Sequence, residues 1–336
     1  MTLYPRPLQA GDTIRVVAPS RSLTYVEQGE AGRYVKQLAN ARLADLGISV
    51  SFGENVRESD MFWSSSAESR AADLHDAFAD PSVAGIMSVI GGFTSNEVLP
   101  HLDFDLIAAN PKFLCGNSDI SAIANGIYAR TGIATYIGPH WSTLGMRDHS
   151  DVTRACFERA AFGLDPIEWQ PGTWFTDDDW FINQDNRTRE PDDGWWPIQS
   201  GTAHGVALGA NLGTLGLLSG TEFMPSLERA ILFAEVTGKY SVMDFRRELV
   251  SLLQMPDGEG IEGVVIGRFQ TASGVTREML EETVASIPEL EGKPVVANSS
   301  FGHTNPLLTF PVGGEAQVQV LDDAAPTPAT IRFPRT

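Results

Sequence analysis

The stretch KFLCGNSDISAIANGI, Lys112 to Ile127, runs from apolar residues through Gly-Asn-Ser-Asp into an alternation with helical spacing. It reads as a buried strand that turns abruptly into a helix, the repeating step of an α/β sheet. One explanation of its polar centre is structural, because Ser and Asp are good helix caps and a strand has to turn somewhere. The other is chemical. Gly116, two residues before Ser118, matches the first half of a G-x-S-x-G nucleophile elbow, with Ile120 where the second glycine would stand.

The sequence on either side repeats this alternation. TIRVVAPS (Thr13 to Ser20) is β-branched and ends in turn residues, and the helical stretch Gly32 to Gly47 closes on a glycine. ISVSF follows, then SAESRAADLHDAFADP, which opens on a Ser/Glu cap signal and stops at Pro81. VAGIMSVIGG and IATYIGPH are further apolar strands. Short apolar strands alternating with helices predict a parallel sheet covered on both faces, with active sites beyond the carboxyl ends of its strands. IGGFTSN and CGNSD both fall at such ends. Residues 166–200 differ: the region carries five of the seven tryptophans, many acids and no clear period, and is expected to be an ordered linker or lid. The chain thus divides into an N-terminal α/β domain (1–165), the Trp-rich segment (166–200) and a second domain (201–336) that again mixes strands and helices.

With 43 acidic against 24 basic residues and a net charge of -19, the 336-residue chain repels phosphate backbones and anionic bilayers. Nucleic acid and membrane are therefore not expected as partners. Cys115 and Cys156 are the only cysteines, which is no disulfide framework and no C-x-x-C site. The first residues lack the pattern of a secretory signal, no apolar run approaches the length of a membrane span, and a cytoplasmic protein is expected. H-E-x-x-H and clustered His/Asp are missing, and so is G-x-G-x-x-G after the first strand, so neither metal nor cofactor is expected.

A serine nucleophile needs a base, an acid that orients it and donors for the oxyanion. Of six histidines, His303 follows the apolar strand PVVAN in the loop SSFGHTNP and suits a general base; His140, ending IATYIGPH, is its rival. Glu235 ends an apolar run in RAILFAEVTG, where a carboxylate is costly unless paired, either in a structural salt bridge or with a catalytic imidazole. The backbone N–H groups of Asp119 and of Gly92, in GGFTSN, are the expected oxyanion donors, and the Asp119 carboxylate is expected to cap the following helix.

Together these blocks resemble the LD-carboxypeptidase family of serine peptidases. GDTIRVVAPS is similar to the family's first strand, IMSVIGGFTSNEVLP to its Gly-Gly loop and GNSDISAI to its nucleophile elbow. LGANLGTLGLLSGT, AILFAEV and VVANSSFGHTNPLLTFPVG resemble its Gly-Asn-Leu block, acid strand and histidine loop. The resemblance implies a Ser118–Glu235–His303 triad and a Rossmann-like N-terminal domain with a parallel sheet. It also implies a smaller mixed α/β C-terminal domain, an active site between the two, and a homodimer. One branch of the family trims D-alanine from murein tetrapeptides. The other, the microcin C immunity branch, cleaves the amide between an aminoacyl or peptidyl group and a modified nucleotide. GGFTSNE and the Trp-rich segment resemble the immunity branch, while Glu235-Val236, Gly209-Ala210-Asn211 and Phe223-Met224-Pro225 depart from its pattern. The expected substrate is accordingly a small peptide or an aminoacyl nucleotide. Candidate binding residues are Ser95, Asn96, Asn211, Trp174, Trp180, Trp195 and Trp196, whose aromatic faces suit a nucleobase. A murein tetrapeptidase and a non-catalytic binding protein are the alternatives.

Overall fold

The computed structural model describes residues 2–185, 187–238, 240–321, 325 and 328–335. Its first half repeats the strand–helix step. Strands β1 (Thr13–Val17), β2 (Ser49–Phe52), β3 (Val83–Ser88), β4 (Phe113–Gly116) and β5 (Thr135–Ile137) pair in parallel in the order β5-β4-β3-β1-β2. Helices α1 (Leu23–Val26), α2 (Gly29–Asp45), α3 (Ala67–Ala79), α4 (Phe104–Ala109) and α5 (Ser121–Thr131) fill the crossovers, and α6 (Asp151–Ala161) follows β5. β3 is buried along its whole length, as a strand sandwiched between helix layers must be. The capping signal before α3 is used: the Ser66 side chain accepts the Ser69 N–H, and Pro81 lies just past the helix end.

The second half builds another sheet. β6 (Ile167–Trp169), β7 (Trp174–Phe175), β8 (Glu190–Pro191) and β9 (Trp196–Gln199) come from the Trp-rich segment. β10 (Gly201–Asn211), β11 (Ala230–Glu235), β12 (Gly263–Gly267) and β13 (Val295–Ser299) form a parallel centre, with α7 (Leu212–Gly216), α8 (Val242–Leu253) and α9 (Arg277–Ala285) in the connections. β14 (Phe310–Val312), β15 (Glu315–Val320) and β16 (Ala329–Phe333) complete the chain. Among the described residues the sheet order is β6-β16-β15-β10-β11-β12-β13-β9. Asp322 and Asp323, at the tail of an expected closing strand, lie outside the described residues.

The Trp-rich segment is held at both ends, since β6 and β9 are the two edges of this sheet and β7 and β8 form a small ribbon between them. Edge strands of three and four residues are too short to print a period of two on the sequence. β14 leaves the second half and pairs antiparallel with β5, closing the first sheet as its sixth strand. An aromatic cluster forms where the sheets meet: Phe233 of β11 stacks on Phe310 of β14 at 4.3 Å between ring centroids, and Trp169, Phe301 and Phe333 pack around them. Such ring pairs add about 0.5–1.5 kcal/mol each beyond the area they bury.

A polar seam runs alongside. Asn117 donates to the Gly302 carbonyl at 2.7 Å. Ser121 accepts the Asn211 N–H at 3.1 Å. Asn125, one turn further along α5, donates to the Gly209 carbonyl at 2.9 Å and accepts the Gly209 N–H at 3.0 Å. Gly209 has φ +109°, and a Cβ there would stand 2.2 Å from the Phe233 carbonyl oxygen, so β10 fits against β11 here only with glycine. Asn125→Ala strands two buried backbone groups, at about 1–3 kcal/mol each. Urea unfolding should show that loss, and an unchanged midpoint would remove Asn125 from the interface.

Candidate active site

The carboxyl ends of β3 and β4 face those of β10, β11 and β13. Between β4 and α5 the chain turns through residues 117–120, and Ser118 takes φ +58°, a left-handed conformation that costs a non-glycine residue energy and is held by its surroundings. The turn is tight enough to require Gly116: a Cβ there would lie 2.4 Å from Ser88 Oγ and 2.8 Å from Ile120 Cγ2. Ser121 Oγ donates to the Ser118 carbonyl at 2.6 Å.

Ser118 Oγ lies 3.0 Å from His303 Nε2, and His303 Nδ1 lies 2.7 Å from Glu235 Oε2. A carboxylate can only accept, so Nδ1 carries the proton and the neutral ring leaves Nε2 to accept from the Ser118 hydroxyl. Glu235, at the end of β11, is 1% exposed, and its other oxygen accepts from Asn211 Nδ2 at 3.0 Å. Burial pushes the His303 imidazole down; the charge and hydrogen bond of Glu235 together push it further up, and the net shift is upward from 6.5. His140 does not pair with Ser118. Its Nδ1 meets Ser88 Oγ at 2.7 Å, and burial, with the nearby His303, lowers its pKa to about 3, so it stays neutral.

The Gly-Gly loop leans on the serine. A Cβ on Gly91 would stand 2.9 Å from Ser118 Cβ, 3.1 Å from its Oγ and 3.5 Å from the Asp119 nitrogen. The Gly91 carbonyl accepts the Arg21 N–H, so the Gly92 N–H, across a trans peptide, points the opposite way. The Asp119 side chain corrects the sequence expectation. It does not cap α5; it accepts the Thr94 and Ser95 N–H groups, both at 2.9 Å, and the Ser20 hydroxyl at 2.5 Å. The carboxylate thereby fixes the Gly-Gly loop to the elbow.

Three expected substrate contacts are also corrected. Ser95 is fully buried and spends its hydroxyl on the Asp119 carbonyl. Asn211 is occupied by Glu235 on one side and by the Thr214 N–H and hydroxyl on the other, so it holds the acid rather than a ligand. Trp195 is 4% exposed and packs in the core. Asn96, Trp174, Trp180 and Trp196 remain partly exposed. Trp174 already carries the Arg189 guanidinium 3.9 Å above its ring, and the Trp196 indole donates to Asp193. The sequence reading missed Asn117, whose bond to the residue before His303 ties the histidine loop to the Ser118 elbow. Its only sequence signal was its position beside Ser118.

Among the described residues no cluster of His, Cys, Asp and Glu could hold a metal ion, and no helix is long and apolar enough to cross a membrane. The chain matches the LD-carboxypeptidase N-terminal domain over residues 14–138 and the LD-carboxypeptidase C-terminal domain over residues 204–318. YocD of Bacillus subtilis is 41% identical over 319 residues, 95% of this chain and 97% of its own. The microcin C7 self-immunity protein MccF of Escherichia coli is 31% identical over 328 residues, 93% of this chain and 91% of its own. The crystal structure of an MccF-like protein from Bacillus anthracis superposes with a TM-score of 0.94 at 41% identity, covering 100% of both chains. MccF itself has been solved with glutamyl sulfamoyl guanosine and with aspartyl sulfamoyl adenosine, at 26% identity to this chain. The match to both domain families and the extent of these similarities make the chain a member of the LD-carboxypeptidase family of serine peptidases.

Proposed function

We propose that the chain hydrolyses the amide between an aminoacyl or peptidyl group and a modified nucleotide, through an acyl-enzyme on Ser118. The observation that carries this reading is the bridge of His303 between Ser118, at 3.0 Å, and Glu235, at 2.7 Å. His303 takes the hydroxyl proton as Ser118 Oγ attacks the carbonyl carbon, and Glu235 stabilises the imidazolium that forms. The backbone N–H groups of Asp119 and Gly92 receive the oxyanion. His303 then protonates the leaving nitrogen, and a water activated by the same imidazole releases the acyl group. The nucleotide half of the reading draws on the sulfamoyl nucleotides bound by MccF and on the partly exposed Trp180 of the Trp-rich segment. A second reading, a murein tetrapeptide carboxypeptidase, is favoured by the engaged indoles of Trp174, Trp195 and Trp196.

Incubation with a murein tetrapeptide and with an aminoacyl sulfamoyl adenosine, followed by mass spectrometry of the products, separates the two readings. Ser118→Ala should lower kcat on the order of 10⁴–10⁶-fold, and adding His303→Ala or Glu235→Gln should cost little more, because the three act as a unit. Near-normal turnover by Ser118→Ala would remove the serine from the mechanism. Binding without turnover by the wild type would point instead to a sequestering protein.

The pH dependence follows from the raised imidazole. The base works only when neutral, so kcat/KM should fall on the acid side through an apparent pKa above 6.5. Because folding raises this pKa, the pair stabilises the fold fully below 6.5 and loses that contribution as pH rises through the folded value. Glu235→Gln removes the charge, leaves burial dominant and should move the His303 titration, followed by NMR, to lower pH. A shift in the other direction would contradict the assigned pair.

Trp180→Ala should weaken a nucleotide substrate about tenfold to a hundredfold if the indole stacks on the base, and leave a murein peptide nearly unchanged. Equal effects on both substrates would favour the murein reading.

A further inference from the structure

Arg21 lies just beyond β1, beside the Gly-Gly loop, and none of the mechanism above uses it. Its guanidinium sits 4.5 Å from the Tyr25 ring centroid and 5.2 Å from that of Phe93. Tyr25 is braced edge-on by Trp63 at 5.8 Å, while Phe93 is 79% exposed. Its own backbone N–H reaches the Gly91 carbonyl, and a Cβ on Gly92 would stand 2.9 Å from Arg21 Cγ. Gly91 therefore borders the Ser118 hydroxyl, and the next residue borders the stem of Arg21. Consecutive Cα atoms are about 3.8 Å apart, which sets the two side chains on the order of 10 Å from one another along one loop.

Among the described residues the guanidinium has no acidic, hydroxyl or carbonyl partner. Arg154, Arg229 and Arg332 likewise have none among the described residues; Arg21 differs from them in lying against two aromatic rings. The two rings hold the guanidinium at 4.5 and 5.2 Å while its N–H groups have no partner among the described residues, and such a guanidinium can receive a carboxylate or phosphate through two donors.

We propose that Arg21 is a substrate-recognition residue whose guanidinium receives an anionic group standing immediately beyond the scissile nitrogen. The inference rests on the hydrolytic reading given above. A carboxypeptidase substrate carries its terminal carboxylate one carbon beyond that nitrogen. A nucleotide amide carries a phosphoryl or sulfamoyl group directly on it. The shared chemistry is a planar or tetrahedral oxyanion close to the reacting bond, which matches a cation set one loop residue away from the nucleophile.

Calorimetric titration of Ser118→Ala, with and without Arg21→Met, tests this without turnover. The probes are a murein tetrapeptide against its C-terminal carboxamide, and AMP against adenosine. Arg21→Met should weaken the anionic member of one pair about tenfold to a hundredfold, the range of charge-assisted hydrogen bonds, and leave the uncharged member unchanged. Arg21→Lys, which keeps the charge but not the fork, should recover part of the loss. The pair that responds identifies the source of the anion. Equal changes in both members, no change in either pair, or no binding of either anion to Ser118→Ala would each overturn the assignment. Turnover by the wild type is measured separately, so a failure of the hydrolytic reading is distinguishable from a failure at Arg21.

Discussion

Much of the second domain is arranged around one buried charge. Glu235 ends a central strand of an eight-stranded sheet with 1% of its surface exposed, a position where an unpaired carboxylate would cost several kcal/mol. Its two oxygens are satisfied by Asn211 and His303, from the ends of two other chain segments. Its bulk also dictates glycine around it. A Cβ on Gly267 would come within 2.7 Å of Glu235 Cβ, and one on Gly302 within 2.6 Å of Oε2. Gly302 adopts φ +105°, which swings the following histidine over the carboxylate. The base is thus aimed by the acid it pairs with, and the acid is retained because the base pairs with it.

The nucleophile belongs to the other sheet, so alignment depends on how the two halves are joined. Rigid contact between them has two sources. The aromatic cluster around Phe233 and Phe310 provides close packing that resists separation but tolerates sliding. The polar seam provides direction, because each of its hydrogen bonds specifies one partner atom. Asn117 contributes most directly, fixing the carbonyl of Gly302 next to the base while its own residue precedes the nucleophile. Its Oδ1 has no partner among the described residues although it is buried, a cost carried between the loops that bear Ser118 and His303. β14, a strand of the first sheet supplied by the second half of the chain, limits the remaining freedom.

What the sequence disclosed and what it hid divide along physical lines. The strand–helix alternation of residues 13–140 was legible because β3, β4 and β5 are buried along their whole length and several helices begin or end on a capping residue, signals written within a few positions. Ser118, Glu235 and His303, which the fold brings within hydrogen-bond distance of one another, stand out in the sequence because each violates its local pattern: a hydroxyl at an elbow, a charge ending an apolar strand, a histidine in a glycine-bearing loop. The short edge strands of the Trp-rich segment were not legible, since three or four residues carry no period and their partners are distant in the sequence, Ile331 for Trp169 and Val295 for Gln199. Ser95, Asn211 and the Asp119 carboxylate were misread for the same reason. A polar side chain near a site looks identical in sequence whether it faces a ligand or another loop, and only the tertiary arrangement shows that these three hold the machinery in place.

Asp119 illustrates how little separation there is between scaffold and site. Its carboxylate gathers two backbone N–H groups of the Gly-Gly loop and the Ser20 hydroxyl at the end of the first strand. Its own nitrogen lies in the elbow, 3.5 Å from the position a Gly91 Cβ would fill. The segments that follow β1, β3 and β4 are therefore registered to each other through a single side chain. Oxyanion donors are effective in proportion to how little they must reorganise. A carboxylate that accepts three hydrogen bonds in a buried setting is a stiff joint, and it holds the loop bearing Gly92 against the serine. The positive φ of Ser118 is stored in the same place, so the energy of a strained elbow is balanced by bonds that begin at the very next residue.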